Sequence, residues 1–307
     1  MTSITFQPAV EQLRTFRDMI RWGASQFNAA GLHFGHGIDN AWDEAVFLAR
    51  HALHLSPAED DVRIADVRLL ASEREDIARL FAERIRTRKP APYLTQEAWF
   101  AGLPFYVDER VIVPRSPIAE LVERTFSPWL DKVEVSHILD LCTGSGCIAI
   151  ACAVYFPEAQ VDAVDISSDA LAVAQKNIED HDLLERVRLI ESDVFSNVPA
   201  GQYDLIVSNP PYVDAEEMAN LPPEYRQEPE LALRAGGDGL DIAVRIIEKA
   251  ADYLSDHGVL VMEVGSSAPA LEARFPDLPL LWLTFEHGGH GVFVVNKAQL
   301  EEMRACL

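Results

Sequence analysis

Three short segments carry residues whose types and order suit the binding of a nucleoside and of a planar amino group. The first, Asp140-Leu-Cys-Thr-Gly-Ser-Gly146, follows a predicted strand and opens a predicted helix. Glycines at 144 and 146 let the backbone turn tightly and approach a ligand closely. Alone, this turn fits a dinucleotide site, a nucleoside site or an ordinary tight turn.

The second segment ends the next predicted strand with Asp165, 19 residues after Gly146. A carboxylate at this point can accept hydrogen bonds from both hydroxyls of a ribose. It can also cap the following helix together with Ser167 or Ser168, and both roles are compatible. The two segments favour a ligand with an adenosine ribose, either NAD or S-adenosylmethionine.

The third segment, Asn209-Pro-Pro-Tyr212, follows the predicted strand Asp204–Ser208. Ligands of doubly wound sheets lie at the carboxyl ends of the strands, so this segment should face the same pocket. The prolines stiffen the turn and lack N–H groups, which leaves backbone carbonyls free to accept. With the side-chain carbonyl of Asn209 they can hold both hydrogens of a planar NH2 group, and Tyr212 offers a flat face to it.

This geometry distinguishes the two cofactors, because it suits methyl transfer to a planar nitrogen. An amide nitrogen is a poor nucleophile, since its lone pair is delocalised into the carbonyl. Orienting it at a methyl donor can supply up to roughly 7–11 kcal/mol. A proton can leave after the nitrogen has become cationic, so no strong base is needed before attack.

Alternating strands and helices from about residue 117 must position these segments. The pattern predicts an α/β domain over residues 117–307 with a mostly parallel sheet covered on both faces. The predicted helices include Ser168–Ile178 and Leu240–Leu254. The predicted strands are His137–Cys142, Gln160–Asp165, Val187–Ile190, Asp204–Ser208, Gly258–Val264 and Gly291–Val295.

Residues 1–90 carry apolar residues at helical spacing and predict a small helical domain. The apolar stripes run over 9–20, 42–53 and 77–85. Ser72 and Glu75 suit a capping box for the third helix. The basic run of Arg84, Arg86, Arg88 and Lys89 predicts a solvated helix end, with a contact to ribosomal RNA as the alternative.

Residues 91–116 predict a linker that contains a β-hairpin. Proline at 90 and 92 ends the helical pattern, and the alternation from Ala98 to Pro114 is typical of strands. Asp108-Glu109-Arg110 lies between two such runs, so the turn is predicted there.

The composition and net charge of the chain indicate which kinds of macromolecule it can bind. The 26 basic and 49 acidic residues of the 307-residue chain give a net charge of −23, which disfavours binding to naked nucleic acid and favours a basic protein partner. No apolar run approaches the length of about 18 residues that a membrane span needs. The four cysteines match neither zinc nor disulfide spacing, so we expect no metal and a reducing cytoplasm.

The three segments, in this order and spacing, resemble class I S-adenosylmethionine-dependent methyltransferases that act on planar amino groups. The helical N-terminal part, the hairpin Phe100–Asp108 and the run Val113-Pro-Arg115 are similar to the HemK group of protein glutamine methyltransferases. Arg115-Ser-Pro-Ile-Ala-Glu-Leu121 and Cys142 resemble the PrmB branch, whose substrate is a glutamine of large-subunit ribosomal protein L-three.

The resemblance implies a Rossmann-like sheet of seven strands with a final antiparallel pair, a helical substrate-recognition domain and a linking β-hairpin. It implies transfer of a methyl group to the glutamine amide, giving N(5)-methylglutamine and S-adenosylhomocysteine. Asn209, Pro210 and Tyr212 would be catalytic, and with Pro211 they would bind the substrate. Ile166 or Phe195 would cover the adenine in place of the aromatic residue that is usual at Val194, and Glu228-Pro229-Glu230 would shape the substrate side. The cofactor would contact Asp140, Cys142, Thr143, Gly144, Ser145, Gly146, Asp165, Ile166, Asp193, Val194 and Asn209.

The implied partner is a basic ribosomal protein, either free or within a ribosome assembly intermediate, with no membrane and no direct DNA contact. Three alternatives remain at this point. A release-factor glutamine methyltransferase would share the motifs, but residues 115–121 differ from its usual acidic version. A nucleic-acid adenine amino-methyltransferase would need a basic groove and space to flip a base. A non-catalytic assembly factor would not need an intact Asp165 and Asn209.

Overall fold

The computed structural model describes residues 6–56 and 61–306, except for the side chains of residues 61, 62, 303, 305 and 306. The chain divides into two compact units. One contains the residues up to Glu97 together with Pro222–Gln227, and the other contains Ala98–Leu221 and the residues from Glu228 onward. Within the described ranges, no helix is both long and apolar enough to cross a membrane. The domain boundaries at residues 90 and 116 stay predictions.

The first unit is helical around one apolar core that includes Phe27 and Phe81. The apolar stripe over 9–20 is divided between two helices. The Thr15 hydroxyl accepts from the Asp18 N–H while the Asp18 carboxylate accepts from the Thr15 N–H, and this capping box begins the second helix. The helices are α1 Gln7–Gln12, α2 Phe16–Ala29, α3 Ala41–Ala52, α4 Asp61–Ile64, α5 Ala71–Thr87 and α6 Ala91–Thr95.

The start of α5 differs from the prediction. Glu73, not Glu75, accepts a hydrogen bond from the backbone N–H before the helix, that of Leu70, at 2.7 Å. The predicted capping box of Ser72 and Glu75 is therefore wrong. The helix begins two residues earlier than the polar pattern indicates, because Leu70 and not Ser72 is the last extended residue.

Replacing Glu73 by alanine is expected to lower the free energy of unfolding by about 1 kcal/mol, because the Leu70 N–H loses its acceptor and the helix start loses a negative charge. Glu75→Ala is the matched control on the same helix and should change the free energy of unfolding by less than about 0.5 kcal/mol. Urea unfolding of both variants measures the difference. Equal losses would contradict this placement of the cap.

The end of α5 also differs from the prediction of a solvated basic run. Arg84 is fully buried, and its Nε donates to Glu44 Oε1 at 2.8 Å. Its Nη1 lies 3.8 Å from Glu224 Oε1, which Arg88 also approaches at 2.8 Å. The prediction is wrong for Arg84, since two buried carboxylates need a cation beside them. The prediction of a solvated side chain is correct for Arg86, which is 73% exposed.

The second unit contains a seven-stranded sheet in the order β5-β4-β3-β6-β7-β9-β8. Strand β9 runs antiparallel to β7 and β8, and the other neighbouring pairs are parallel. This confirms the predicted α/β fold. The two-residue strand β8 is too short to give a pattern. The strands are β1 Ala98–Phe100, β2 Leu103–Phe105, β3 His137–Leu141, β4 Gln160–Asp165, β5 Val187–Glu191, β6 Tyr203–Ser208, β7 Leu254–Glu263, β8 Leu281–Trp282 and β9 Val292–Asn296.

Helices cover both faces of this sheet. Successive strand residues point to opposite sides, so Ile138 and Leu205 belong to one apolar core while Leu139 and Ile206 belong to the other. Burial on both faces explains the short, almost wholly apolar strands. The helices are α7 Ile118–Glu123, α8 Cys147–Tyr155, α9 Ser168–Asp180, α10 Ala215–Asn220, α11 Asp241–Tyr253, α12 Ala268–Arg274 and α13 Lys297–Cys306.

The predicted hairpin is present, but its turn is elsewhere. Strands β1 and β2 pair with Phe100 opposite Leu103, so the turn is Ala101-Gly102 and not Asp108-Glu109-Arg110. Both turn residues have positive φ angles, and glycine at 102 suits this backbone. Asp108 instead holds its own loop, because its carboxylate accepts from the Arg110 N–H and guanidinium.

Candidate functional site

The candidate site lies at the carboxyl ends of β4, β3 and β6. Strand β3 pairs with β4 on one side and with β6 on the other, so the order of the strands reverses beside it. Such a reversal leaves a crevice in which the loops after neighbouring strands diverge. A cavity occupies this crevice.

Most residues predicted to bind a ligand line this cavity. They come from the loop after β3, the end of β4, the loop after β5 and the loop after β6: Cys142, Gly144, Asp165, Ile166, Asp193, Val194, Asn209 and Pro211. The other predicted residues do not line it: Asp140, Thr143, Ser145, Gly146, Pro210 and Tyr212. The structure therefore separates the predicted set into residues at the cavity and residues that support them.

The loop after β3 turns through three residues with positive φ. Cys142 has φ +61°, Gly144 +56° and Gly146 +80°. A Cβ at Gly146 would lie 3.1 Å from the Ala174 Cβ, so glycine allows close helix packing there. A Cβ at Gly144 would meet no protein atom within 4 Å, and since Gly144 lines the cavity, it would take up space for a ligand.

Asp165 connects two loops of the cavity. Its carboxylate accepts from the Gly144 N–H at 2.8 Å and from the Ser167 N–H at 2.9 Å. The cap of α9 is Ser167, whose hydroxyl accepts from the Ala170 N–H. Burial raises the pKa of Asp165. Each carboxylate oxygen keeps a lone pair beyond the backbone bond that it accepts, so the group can still accept from a diol.

Asp140 lies below the cavity and is fully buried. Its Oδ2 accepts from the Thr143 hydroxyl at 2.5 Å and from the Ala149 N–H at 3.1 Å, which fixes the loop after β3 against α8. Oδ1 has no hydrogen-bond partner among the described residues. Burial raises the pKa of Asp140 to about 7. This residue supports the glycine loop from within the protein.

The stability of the fold should depend on pH through Asp140. Because the pKa is raised from 3.8 to about 7 on folding, the protonated carboxyl stabilises the fold below about pH 4, and this contribution is lost as the pH rises through 7. Between pH 5 and 6 the wild type should lose up to about 1.4 kcal/mol more than Asp140→Asn, which does not titrate. Urea unfolding at both pH values tests this, and parallel losses in the two proteins would contradict it.

The loop after β5 shapes the far side of the cavity. Asp193 forms an ion pair with Arg245 at 2.8 Å, and Val194 adopts φ +50°. Ile166, which is 53% exposed, lines the cavity. Phe195 instead stacks on Tyr253 at 4.4 Å and does not line it. Of the two predicted replacements for an aromatic ring, only Ile166 lies at the cavity.

The first and last residues of the segment Asn209-Pro-Pro-Tyr212 have different surroundings. Asn209 lines it, and its side chain forms no hydrogen bond with any residue in the described ranges, which leaves the amide available to a ligand. Tyr212 is not among the residues that line the cavity, and its hydroxyl donates to Glu263 Oε1 at 3.0 Å. Burial and the nearby Glu263 carboxylate raise the pKa of Tyr212.

Two walls of the cavity lie outside the three segments singled out from the sequence, and of their residues only Pro229 belongs to a run predicted to shape the substrate side, Glu228-Pro229-Glu230. They come from the loop after the hairpin and from a short 3-10 turn after α10: Arg110, Val111, Ile112, Pro229, Leu231, Ala232 and Arg234. Glu228 ties the two walls together, since it accepts from the Val113 N–H and binds Arg115 through both oxygens at 2.5 and 2.8 Å. Loops without periodicity give no signal for such contacts, and only the resemblance pointed to residues 228–230.

In the part of the chain that the structure describes, no group of three or more His, Cys, Asp or Glu side chains is placed to hold a metal ion. Cys147 and Cys152 are buried free thiols, as expected for packing residues, and Cys142 is partly buried at the cavity. The side chain of Cys306 lies outside the described residues.

Comparisons with known proteins place methyltransferases among the relatives of this chain. Residues 124–238 match the family described as Methyltransferase small domain. The ribosomal protein uL3 glutamine methyltransferase of Francisella tularensis is 49% identical over 295 residues, covering 96% of this chain and 94% of the relative. The protein of the same name from Bordetella pertussis is 50% identical over 291 residues, covering 94% of this chain and 97% of the relative.

Proposed function

The chain belongs to the ribosomal protein uL3 glutamine methyltransferases, and we propose that it transfers a methyl group from S-adenosylmethionine to the side-chain amide nitrogen of a glutamine in uL3. The products are N(5)-methylglutamine and S-adenosylhomocysteine. One observation carries the proposal: Gly144, Asp165 and Asn209 border one cavity at the carboxyl ends of three adjacent strands. The nitrogen gains the methyl group and releases one proton to water.

The lining of the cavity supports S-adenosylmethionine as the cofactor. Asp165 offers carboxylate oxygens to the ribose hydroxyls. Because Gly144 has no side chain, there is room for the cofactor beside Cys142. Ile166 and Val194 supply apolar surface for the adenine, and Asp193 would lie near its amino group. When bound, S-adenosylmethionine supplies an electrophilic methyl group on a sulfonium.

The chain's own contribution to catalysis is orientation. Asn209 and the carbonyl of Pro210 would accept the two hydrogens of the substrate amide, which aims the nitrogen at the methyl group and fixes its plane. Tyr212 would pack over that plane, and Pro211 would line the approach. The walls at Arg110–Ile112 and Pro229–Arg234 would exclude water from a site in which charge disperses during transfer.

Net charge supports a basic protein as the substrate. The −23 charge of the chain attracts a cationic protein over several ångströms and repels the phosphates of nucleic acid. Adenine in DNA or RNA is therefore a poor candidate despite the suitability of its amino group. A ribosomal substrate also implies that the reaction takes place in the cytoplasm.

Methyl transfer to purified uL3 tests the proposal. Purified enzyme, S-adenosylmethionine and unmodified uL3 are incubated, and peptide mass spectrometry locates the added methyl group. We expect one methyl group on a glutamine amide of uL3 and none on a peptide release factor or on single-stranded DNA. An assembly intermediate as a second substrate decides between free and ribosome-bound uL3. Labelling of the release factor instead of uL3 would overturn the proposal.

A further inference from the structure

We propose that Glu263 is a positioning residue that acts through Tyr212 and holds the Tyr212 ring in the orientation needed for the substrate amide. The proposal rests on the function proposed above. The contact is direct, because the Tyr212 hydroxyl donates to Glu263 Oε1 at 3.0 Å. The other carboxylate oxygen, Oε2, accepts from the Ser116 hydroxyl at 2.5 Å.

The place of Glu263 in the sheet explains why it can reach this loop. Strand β7 lies next to β6 in parallel register, with Met262 opposite Ser208. Glu263 therefore stands beside Asn209, at the level where the chain leaves the sheet for the diproline turn. A side chain at this point faces the turn from the neighbouring strand, and the local sequence around Asn209 gives no sign of it.

Within residues 6–56 and 61–306, three contacts around Tyr212 bear on its position, and of these three the one with Glu263 is made by a titratable group. The Tyr212 carbonyl accepts from the Ser267 hydroxyl at 2.8 Å, which fixes the backbone. A Cβ added at Gly265, where φ is +46°, would collide with the Tyr212 ring, so glycine lets the ring lie against the chain. The hydrogen bond from the Tyr212 hydroxyl to Glu263 then fixes the direction in which the ring points.

A carboxylate in this place is costly to bury, and that cost argues for a role. Glu263 is 5% exposed, and burial raises its pKa. An apolar residue of the same size would fill the space without losing the hydration of a carboxylate. Burial also raises the pKa of Tyr212, so the phenol keeps its proton and acts as the donor.

Kinetics of a variant set test the positioning role. Glu263→Leu should lower kcat for uL3 methylation by roughly 100-fold, since a misplacement of about 1 Å can cost that much, with KM and the affinity for S-adenosylhomocysteine within a few-fold of wild type. Glu263→Gln keeps an oxygen acceptor and should retain most of kcat. Ser255→Ala, the control, removes a hydroxyl–carboxylate hydrogen bond at the other end of β7, that to Asp204, and should have little effect on kcat. A leucine variant with normal kcat, or a glutamine variant as slow as leucine, would overturn the proposal.

A double-mutant cycle asks whether Glu263 acts through Tyr212. Tyr212→Phe removes only the hydroxyl and tests the contact even where the leucine variant does not fold. Tyr212→Phe combined with Glu263→Leu should be no slower than the slower single variant, because both changes break the same hydrogen bond. Losses that multiply would mean that the two residues act independently, and the proposal would be wrong.

A measurement that does not depend on turnover tests the positioning role of Glu263 separately from the proposed methyltransferase function. Nuclear magnetic resonance of protein with 13C-labelled tyrosine rings reports the seven tyrosines, and Tyr212→Phe assigns the signal of interest. The Tyr212 ring should flip slowly in the wild type and in Glu263→Gln, and rapidly in Glu263→Leu. An unchanged flip rate in Glu263→Leu would overturn the positioning role. Absence of uL3 methylation by the wild type would overturn only the proposed function.

Discussion

Asn209→Ala is expected to lower kcat for methylation of uL3 by roughly 1000-fold, while the affinity for S-adenosylmethionine stays within a few-fold of wild type. The reason is the position of Asn209 directly after β6, where it lines the cavity and makes no side-chain hydrogen bond to any described residue. Such an amide is free to accept a hydrogen from the substrate nitrogen. Its loss removes orientation of the nucleophile and leaves the residues around the adenosine in place.

Single-turnover kinetics and titration calorimetry measure the two quantities separately. Asn220→Ala is the matched control, because Asn220 is an exposed asparagine on α10 whose amide donates to the Glu216 carbonyl within its own helix. That variant should have the turnover of the wild type. A normal rate in Asn209→Ala would remove the argument that this amide holds the substrate nitrogen.

The sequence predicted the fold well where local rules decide it. Buried parallel strands give short apolar runs, and the three segments at the ends of β3, β4 and β6 lie together because parallel strands end at one edge of a sheet. The residues of the cavity that these segments supply, such as Gly144 and Asp165, could therefore be chosen without coordinates.

Errors arose where distant parts of the chain decide the local structure. Arg84 has the sequence context of a surface residue, and partners far away in the chain, among them Glu44 and Glu224, make it a buried cation. Glu263 is similar, because the pairing of β6 with β7 brings Tyr212 to it, and Ser116 comes from the distant loop before α7. Amino-acid spacing carries no information about such contacts.

The hairpin shows a second source of error. Asp108-Glu109-Arg110 has the polar composition of a turn, but the two-residue turn lies at Ala101-Gly102, where the backbone needs positive φ. A polar run indicates that a segment is exposed, but a two-residue hairpin turn needs residues that can adopt a positive φ. In this chain the polar run and the residues with positive φ lie at different places. Glycine at 102 was the better signal.

Asp165→Ala should weaken the binding of S-adenosylhomocysteine by at least about 100-fold. Two ribose hydroxyls would each lose a hydrogen bond to a charged acceptor, worth about 1.5–3 kcal/mol apiece. The variant also removes the acceptor for the Gly144 N–H, so the loop after β3 loses one of its fixed points. Both effects act in the same direction, because the loop and the diol meet at this one carboxylate.

Titration calorimetry with the product avoids turnover and measures this affinity directly. Asp169→Ala is the control, since it removes the same charge from an exposed residue in the first turn of α9, four positions along the chain. It should bind S-adenosylhomocysteine within a few-fold of wild type, which separates a specific contact from a change in net charge. Asp165→Asn keeps one acceptor and should bind with intermediate affinity. If Asp165→Ala bound as tightly as Asp169→Ala, the ribose would have to lie elsewhere in the cavity, and the orientation of the methyl group toward Asn209 would no longer follow.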